Sequence, residues 1–363
     1  MEQAGISEEE VAERCKVGKG LVAAWLAGDA QPTKTQFNSL VSLLRRPTAF
    51  FFLSAPPNDA AVPASFRHPP RDDDKRGISV AESNAVRTAR RLQRVSRWIL
   101  TEEEAPPPKL PEATMAEGAE AVADRVRVFL SWSTTDQRRA ADSSAVVRLL
   151  RARLEETGFL VLHLPLGKAG CRGFSLYDPF APVVAINTAF NAAARVFSYG
   201  HELGHLVLHT DGICANRPDE GVERWCEEFS AAFLMPRSDV AALVAELRGS
   251  AMDFRAVQRL ATRFKVSLRA AALRLIRLNY AKARLYEEVD QAADFKSGSG
   301  GAGGATSPEI RLREWGRTYP RLLLDAEEQS LLTRDDILEY LNLSNTQLTT
   351  LRQQLSTAGA TSE

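Results

Sequence analysis

Apolar residues recur at helical spacing along most of the chain, and the first of these stretches lies near the N-terminus. Within residues 5–53 the spacing predicts three short helices. They begin at the capping box Ser7–Glu10, after the turn Val17–Gly20, and at Pro32-Thr33. The first of these helices is expected to run to Cys15, and Gly28-Asp29 is expected to end the second.

The apolar period changes in the middle of the chain. Residues 79–100 predict one arginine-rich helix, and Met115 to Glu156 predict two helices. Three short apolar runs bounded by Gly, Pro and Asp then predict strands, at Phe159–Leu164, Gly173–Tyr177 and Val183–Ile186. Helical spacing resumes near residue 196 and continues to about residue 288. This pattern predicts an α+β protein that is mostly helical and carries one small three-stranded sheet.

Stretches rich in Pro, Asp, Gly or Ser divide the chain. Residues 297–307 are rich in Gly and Ser and predict a flexible linker. The expected organisation is a helical module at 1–53, a linker with the arginine-rich helix at 54–111, a central domain at 112–290, a flexible linker at 291–308, and a C-terminal helical module at 309–363.

Charge and composition exclude several classes of protein. The 363 residues include 46 basic and 46 acidic side chains, so overall charge favours neither nucleic acid nor an anionic membrane as partner. No apolar run is long enough to cross a bilayer, and the polar N-terminus does not resemble a secretory signal. The four cysteines form no CxxC pair, which is typical of free thiols in a reducing compartment. We therefore expect a cytoplasmic protein.

The sequence His201-Glu202-Leu203-Gly204-His205 carries the clearest chemistry in the chain. Two histidines four residues apart share one face of a helix and can bind one tetrahedral zinc ion. Glu202 lies between them and is placed to act as a general base on a water molecule. The alternative is a core helix whose histidines have only structural hydrogen bonds.

A catalytic zinc site needs a third protein ligand and an open position for water. The segment Val222–Met235, which ends before Pro236, predicts an acidic helix. Glu223 and Glu227 share one face of that helix, and spacing alone does not choose between them. Either carboxylate could instead be an ordinary solvated surface group.

HELGHLVLH at residues 201–209, followed by an acidic helix that ends in Phe229-x-x-x-x-Leu234-Met235-Pro236, resembles the ImmA/IrrE metallopeptidases. The three predicted strands and residues 195–198 are also similar to that family. The resemblance implies a zincin-like core and zinc as the metal. The family's third ligand stands six residues before the phenylalanine and thirteen before the proline, and these offsets correspond to Glu223 here.

The resemblance also implies a function. Members of this family cleave a specific protein, typically an Xre-type transcriptional repressor, and so relieve repression in a stress or mobile-element response. The N-terminal residues from Glu10 to Pro32 resemble an Xre-type helix-turn-helix that lacks its first helix. Residues 1–50 carry six basic and six acidic side chains, and in the segment Gly18–Ala27 only Lys19 is suited to contact DNA. DNA binding is therefore weakly supported, and docking of a protein is an equally natural role.

Three further residues were considered for auxiliary roles around the motif. His209 is predicted one turn beyond His205, where it could contact substrate or complement the helix dipole. Tyr199 is a candidate donor to the oxyanion, with a packed aromatic ring as the alternative. Glu227 remains a possible auxiliary carboxylate beside Glu223. The competing functional hypothesis is a DNA- or protein-binding regulator with a structural or sensory metal site, and the intact Glu202 argues against it.

Overall fold

The computed structural model describes most of the chain and divides it into two compact units. The described residues are 7–44, 79–209, 220–247, 253–293 and 307–357. The first unit contains residues 7–44 and 79–88, and the second contains the described residues from 89 onward. Residues 54–78 of the predicted linker and residues 297–306 of the Gly/Ser-rich stretch lie outside the described residues.

The first unit contains the three helices predicted near the N-terminus. These helices are α1 (Glu8–Cys15), α2 (Lys19–Ala27) and α3 (Lys34–Leu44). The Ser7 hydroxyl and the Glu10 carboxylate form the predicted capping box at the start of α1. Val11, Cys15 and Val22 are buried together and form the small core of this unit. Gly28 ends α2 in the left-handed conformation that glycine adopts without a steric cost.

Helix α4 (Val80–Glu102) contributes residues 80–88 to the first unit and its remaining residues to the second. Three helices then precede the sheet: α5 (Ala119–Phe129), α6 (Thr134–Arg139) and α7 (Ser143–Glu156). The prediction of only two helices over residues 115–156 was therefore wrong. The additional helix, α6, is a short one that begins at the capping residue Ser133, and its six residues carry too few apolar positions to show a period.

The sheet has three strands, at the predicted places: β1 (Leu160–Leu164), β2 (Gly173–Leu176) and β3 (Val183–Asn187). Their order is β1-β3-β2, with β1 parallel and β2 antiparallel to β3. All residues of the three strands are buried, which explains their continuous apolar runs. The fully buried Asn187 side chain holds the β1–β2 connection, because its amide donates to the carbonyls of Gly167 and Cys171.

Helices α8 (Ala192–Val207) and α9 (Glu220–Leu234) pack closely against each other beside the sheet. A Cβ atom on Gly200 would lie 2.5 Å from the Ser230 hydroxyl, and one on Gly204 would lie 3.1 Å from the Cys226 Cα. The Ser230 hydroxyl donates to the Phe197 carbonyl at 2.8 Å and so joins the two helices. Small residues at this contact therefore set a short distance between α8 and α9.

Four shorter helices complete the central part of the second unit: α10 (Arg237–Glu246), α11 (Phe254–Phe264), α12 (Leu268–Arg277) and α13 (Arg284–Ala293). Buried polar side chains join them to the elements around the sheet. Gln137 donates to the carbonyls of Leu234 and Phe264, and Arg274 donates to the Met235 carbonyl and pairs with Glu120. These bonds satisfy backbone groups at helix ends.

The C-terminal module, defined here as residues 307–357, is helical as predicted and belongs to the same compact unit as the sheet. Its helices are α14 (Ser307–Trp315), α15 (Thr318–Glu328), α16 (Arg334–Leu341) and α17 (Asn345–Thr357). The predicted α+β architecture, mostly helical with a small mixed sheet, is thereby confirmed. Within the described residues, no helix combines the length and the apolar character needed to cross a membrane.

Replacing Gly200 with alanine is expected to destabilise the second unit by roughly 1–3 kcal/mol, because the added methyl group would displace Ser230 and separate α8 from α9. Helix propensity alone would favour alanine by up to ~1 kcal/mol. Gly20 in α2 has no atom within 4 Å of its hypothetical Cβ, so Gly20→Ala is the matched control. Urea unfolding followed by tryptophan fluorescence measures both variants, and equal stability of the two would contradict this account of the helix contact.

Candidate metal centre

The motif histidines lie on the buried face of α8, at its C-terminal end. Asn191 caps the start of this helix by accepting a hydrogen bond from the Ala194 amide. His201 and His205 are one turn apart, and their Nε2 atoms are separated by 3.2 Å. Both residues are almost fully buried, with 1% and 5% of their surface exposed. The two imidazoles therefore offer nitrogen atoms to one common point inside the protein.

Glu223, in the first turn of α9, brings a carboxylate to the same point. Its oxygens lie 3.2 Å from Nε2 of His201 and 3.4 Å from Nε2 of His205. Four ligands at the usual zinc distances of about 2.0–2.1 Å would be roughly 3.3–3.4 Å apart along the edges of a tetrahedron. The separation between the two imidazole nitrogens, and the distance from each nitrogen to its nearer Glu223 oxygen, are close to those edges. Among the described residues, His201, His205 and Glu223 form the one group of acidic, histidine or cysteine side chains arranged to hold a metal ion.

The structure separates the two glutamates that spacing alone left as rivals. Glu223 faces the histidines, whereas the Glu227 carboxylate lies 3.6 Å from the guanidinium of Arg277 on α12. Glu227 lies one turn further along α9, and its carboxylate contacts Arg277 on α12. The offset from Phe229 and Pro236 had pointed to the same choice.

Electrostatics at the three ligands favours a positive charge between them. Burial alone would raise the pKa of Glu223, but hydrogen bonds with His201 and His205 outweigh it and lower that pKa. Burial alone would lower the pKa of His205, but hydrogen bonds with Cys226 and Glu223 outweigh it and raise that pKa. A carboxylate thus remains ionised inside the protein because positive charge lies beside it, and a divalent cation would supply such charge.

The Glu202 carboxylate contacts strand β2 of the sheet. Its carboxylate accepts a hydrogen bond from the Ser175 hydroxyl of β2 at 3.1 Å, and its residue is 3% exposed. A Cβ atom on Gly173 would lie 3.0 Å from a Glu202 oxygen and 2.8 Å from the Ala185 carbonyl. Glycine at position 173 therefore leaves room for the carboxylate, and Ser175 fixes its orientation beside the metal ligands.

Three contributors to the site were not identified as site residues from the sequence. Gly173 and Ser175 are two positions apart on β2, so both face α8, and this alternation was the available signal. Cys226 is fully buried on α9 and is hydrogen-bonded to His205, while burial raises the pKa of its thiol. Its spacing of three residues from Glu223 was visible, but only the helix contact places it against His205.

Residues 154–276 match the family model Peptidase_M78, described as the IrrE N-terminal-like domain. The matched stretch contains the sheet, the motif helix and all three ligand candidates. This part of the chain belongs to the ImmA/IrrE family. A search of curated proteins found no match. The resemblance drawn from the motifs is confirmed for this domain, and the ImmA/IrrE domain here is a peptidase domain with a candidate metal triad.

Tyr199 of the ImmA/IrrE domain lies in the core on α8, and its hydroxyl is bonded within the protein. The Tyr199 oxygen is 2.6 Å from Nε2 of His163 on β1, and Nδ1 of His163 is 3.2 Å from the Arg151 guanidinium. An arginine only donates, so Nδ1 of His163 accepts and its Nε2–H donates to the tyrosine oxygen. Tyr199 is fully buried, which corresponds to the packed aromatic ring named as the alternative.

His209 lies just past the end of α8, and its backbone has the left-handed φ of 48°. Its ring stacks on Tyr177 with ring centres 4.1 Å apart, and its Nε2 is 3.9 Å from a Glu112 oxygen. The expectation of a His209 one turn further along the same helical face was wrong, because the helix ends at Val207. The Ala113 amide donates to the Val207 carbonyl at 2.8 Å and caps this end of the helix.

Lys19, the residue singled out for contact with DNA, begins α2 in the first unit. Its ammonium group forms an ion pair with Glu9, and both side chains are largely exposed. In this ion pair the Glu9 carboxylate offsets the positive charge with which Lys19 would contact a DNA phosphate. Binding of DNA by this residue stays a prediction.

The buried His163 is expected to make stability depend on pH. Burial, with the positive charges of Arg151 and Arg195, lowers the pKa of His163 to about 3. The unfolded chain binds a proton there below about pH 6.5, whereas the folded chain does not until about pH 3. The free energy of unfolding should therefore fall as pH decreases from 6.5 toward 3, by up to ~1.4 kcal/mol per pH unit.

His163→Gln removes this titration and should flatten the dependence. The measurement is urea unfolding of wild type and variant at several values between pH 5 and 7. A slope in the variant as steep as that of the wild type would show that His163 is not the group responsible.

Proposed function

We propose that the chain is a zinc-dependent endopeptidase of the cytoplasm that cleaves a specific protein, an Xre-type transcriptional repressor. The observation that carries the zinc proposal is the ligand geometry. The Nε2 atoms of His201 and His205 are 3.2 Å apart, and each has a Glu223 carboxylate oxygen within 3.2 or 3.4 Å, close to the edge length of a tetrahedron of zinc size. Two nitrogens and one carboxylate leave a fourth position open, which a catalytic site requires and a structural site does not.

The buried carboxylate of Glu202 supports catalysis rather than a structural or sensory role. A zinc ion held by the triad would polarise the scissile carbonyl and lower the pKa of a water molecule. Glu202 accepts the proton of the attacking water and passes it to the nitrogen of the leaving amine. Ser175 donates a hydrogen bond to Glu202 and thereby restricts the carboxylate to one orientation. A structural zinc site would have no use for such a base.

The repressor substrate and the stress-response role rest on the family resemblance and on the N-terminal helices. The three helices of the first unit correspond to the segment that resembles an Xre-type module. Similar modules in substrate and peptidase would allow the two proteins to recognise each other. Lys19 is paired with Glu9, so recognition of protein is favoured here over recognition of DNA. The scattered cysteines of the sequence, which form no CxxC pair, support a reducing cytoplasm.

Zinc content tests the ligand set directly. Wild type purified without added metal should contain about one zinc per chain, as expected for a three-ligand site with an open position. Glu223→Ala should lose the metal or bind it more weakly. Glu227→Ala removes the same side chain one turn further along α9, where it pairs with Arg277, and should keep it. Elemental analysis measures all three proteins, and a wild type that neither contains nor takes up zinc would reject the metal site.

Glu202→Gln tests the role of the base. The variant should keep zinc, because Glu202 is not a ligand, and should lose cleavage by on the order of 10²–10⁴-fold, the usual contribution of a general base. Cleavage is measured by mass spectrometry of new protein N-termini after wild type or variant is incubated with a lysate of the host cells. Glu228→Gln, at an exposed position of α9, is the control.

The outcomes of that experiment separate the hypotheses. New N-termini confined to one or a few proteins with Xre-type modules, and absent with Glu202→Gln, would support the proposal. Cleavage of many unrelated proteins would contradict a specific substrate. Zinc retained without any cleavage by wild type would favour the regulator with a structural or sensory metal site.

A further inference from the structure

Arg151 on α7 joins three parts of the second unit at one guanidinium group. It donates to the Val161 carbonyl on β1 at 3.1 Å, and to the Arg313 and Leu312 carbonyls of α14 at 2.8 and 3.4 Å. Its Nε is 2.8 Å from the Glu155 carboxylate, and its side chain is 15% exposed. The edge strand β1 is thereby connected to the C-terminal module through a single, partly buried side chain.

The junction between α14 and α15 lies against the same ion pair. The Arg317 amide donates to the Glu155 carboxylate at 3.4 Å, and the Thr318 hydroxyl donates to the Glu155 carbonyl at 3.5 Å. Gly316 has a φ of +76°, and a Cβ atom there would collide with the Glu155 carboxylate. The close approach of the junction to Glu155 therefore requires glycine at position 316.

The other side of Arg151 leads to the helix that carries the metal ligands. Its guanidinium is 3.2 Å from Nδ1 of His163, and Nε2 of His163 is 2.6 Å from the Tyr199 hydroxyl. Tyr199 is fully buried and stands two residues before His201 on α8. A continuous row of hydrogen bonds thus runs from carbonyls of the C-terminal module to the motif helix.

We propose that the C-terminal module positions the metal-binding helix α8 through Arg151, His163 and Tyr199. The inference rests on the metal site proposed above. Release of the module would remove two carbonyl partners from Arg151, admit water to its guanidinium, and free it to leave His163. A buried hydrogen bond that loses its supporting partner is weakened, and Tyr199 would then hold α8 less firmly. Arg151, His163 and Tyr199 are positioning residues in this scheme.

Gly316→Ala in the full chain tests the coupling from the side of the C-terminal module and leaves the Arg151, His163 and Tyr199 side chains in place. The added methyl group would displace the Glu155 carboxylate and come within 3.1 Å of the Arg151 guanidinium, so it should break the contact between the α14–α15 junction and this ion pair. Gly167→Ala is the matched control, because Gly167 has the same φ of +76° and no atom within 4 Å of its hypothetical Cβ. Both variants carry the cost of a left-handed alanine, and only one carries the collision.

Two measurements are made on wild type and both variants. Hydrogen exchange followed by mass spectrometry should be faster in α14 and in α8 for Gly316→Ala than for Gly167→Ala. Zinc affinity should fall roughly tenfold in Gly316→Ala, which is a typical size for coupling between distant sites. The visible absorption spectrum of the Co²⁺-substituted protein should also change in this variant. A module that only covered the sheet edge would leave the Co²⁺ spectrum unaltered.

Tyr199→Phe removes the hydroxyl, keeps the ring, and provides a second variant. It should reproduce the change in the Co²⁺ spectrum, and its effect on zinc affinity should not add to that of Gly316→Ala. Additive effects, or fast exchange in α14 with unchanged exchange in α8, would overturn the proposal. If hydrogen exchange in α14 were unchanged in Gly316→Ala, the proposed contact between the α14–α15 junction and Glu155 would be wrong as the docking point of the module. Absence of zinc binding in wild type would reject the metal site instead, and exchange in α8 would still decide the coupling.

Discussion

The short distance between α8 and α9 is the constraint on which the site depends. Gly200 and Gly204 lie one turn apart on α8, where the backbone meets Ser230 and Cys226 of α9. A larger residue at either glycine would separate the helices. Metal–ligand distances tolerate deviations of only about 0.2 Å, so such a separation would remove Glu223 from the reach of a metal held by the histidines. The packing of α8 against α9 therefore determines the geometry of the candidate metal site.

The two glutamates of this site, Glu223 and Glu202, lie in different surroundings. His201 and His205 are almost completely enclosed, while the Glu223 side chain is 24% exposed, so access from solvent is on the side of α9. Glu202 is enclosed on the side of the sheet, where Ser175 is its hydrogen-bond donor. The Glu223 carboxylate is thus held by His201 and His205, with which it forms the candidate cation site. The other is fixed by a strand that takes no part in coordination, and it remains available as a base.

The sequence was sufficient for local features and insufficient for contacts between distant elements. Helical spacing, caps and apolar runs located the three strands, the motif helix and α9, because each depends on residues near one another in the chain. Helix α6 was missed because six residues cannot display a period. The choice of Glu223 came from offsets known in a family and not from spacing. The partner of Glu202 was hidden because Ser175 is 27 residues away, and only the fold shows that β2 faces α8.

The contacts of the C-terminal module are a further example of pairing that local sequence patterns do not reveal. They also suggest why the module is docked on the sheet. Its carbonyls reach Arg151 across 162 positions of sequence, and no local pattern could have paired them. An edge strand exposes unpaired carbonyls, and the edge strand β1 has its Val161 carbonyl covered by this arginine. The opposite edge of the same three-stranded sheet is β2, where Ser175 donates to Glu202, the proposed base. Two strand spacings, about 10 Å, separate the edges. Because a close-packed interior transmits strain, the sheet between these edges would be a second route, beside Tyr199, for the coupling proposed above.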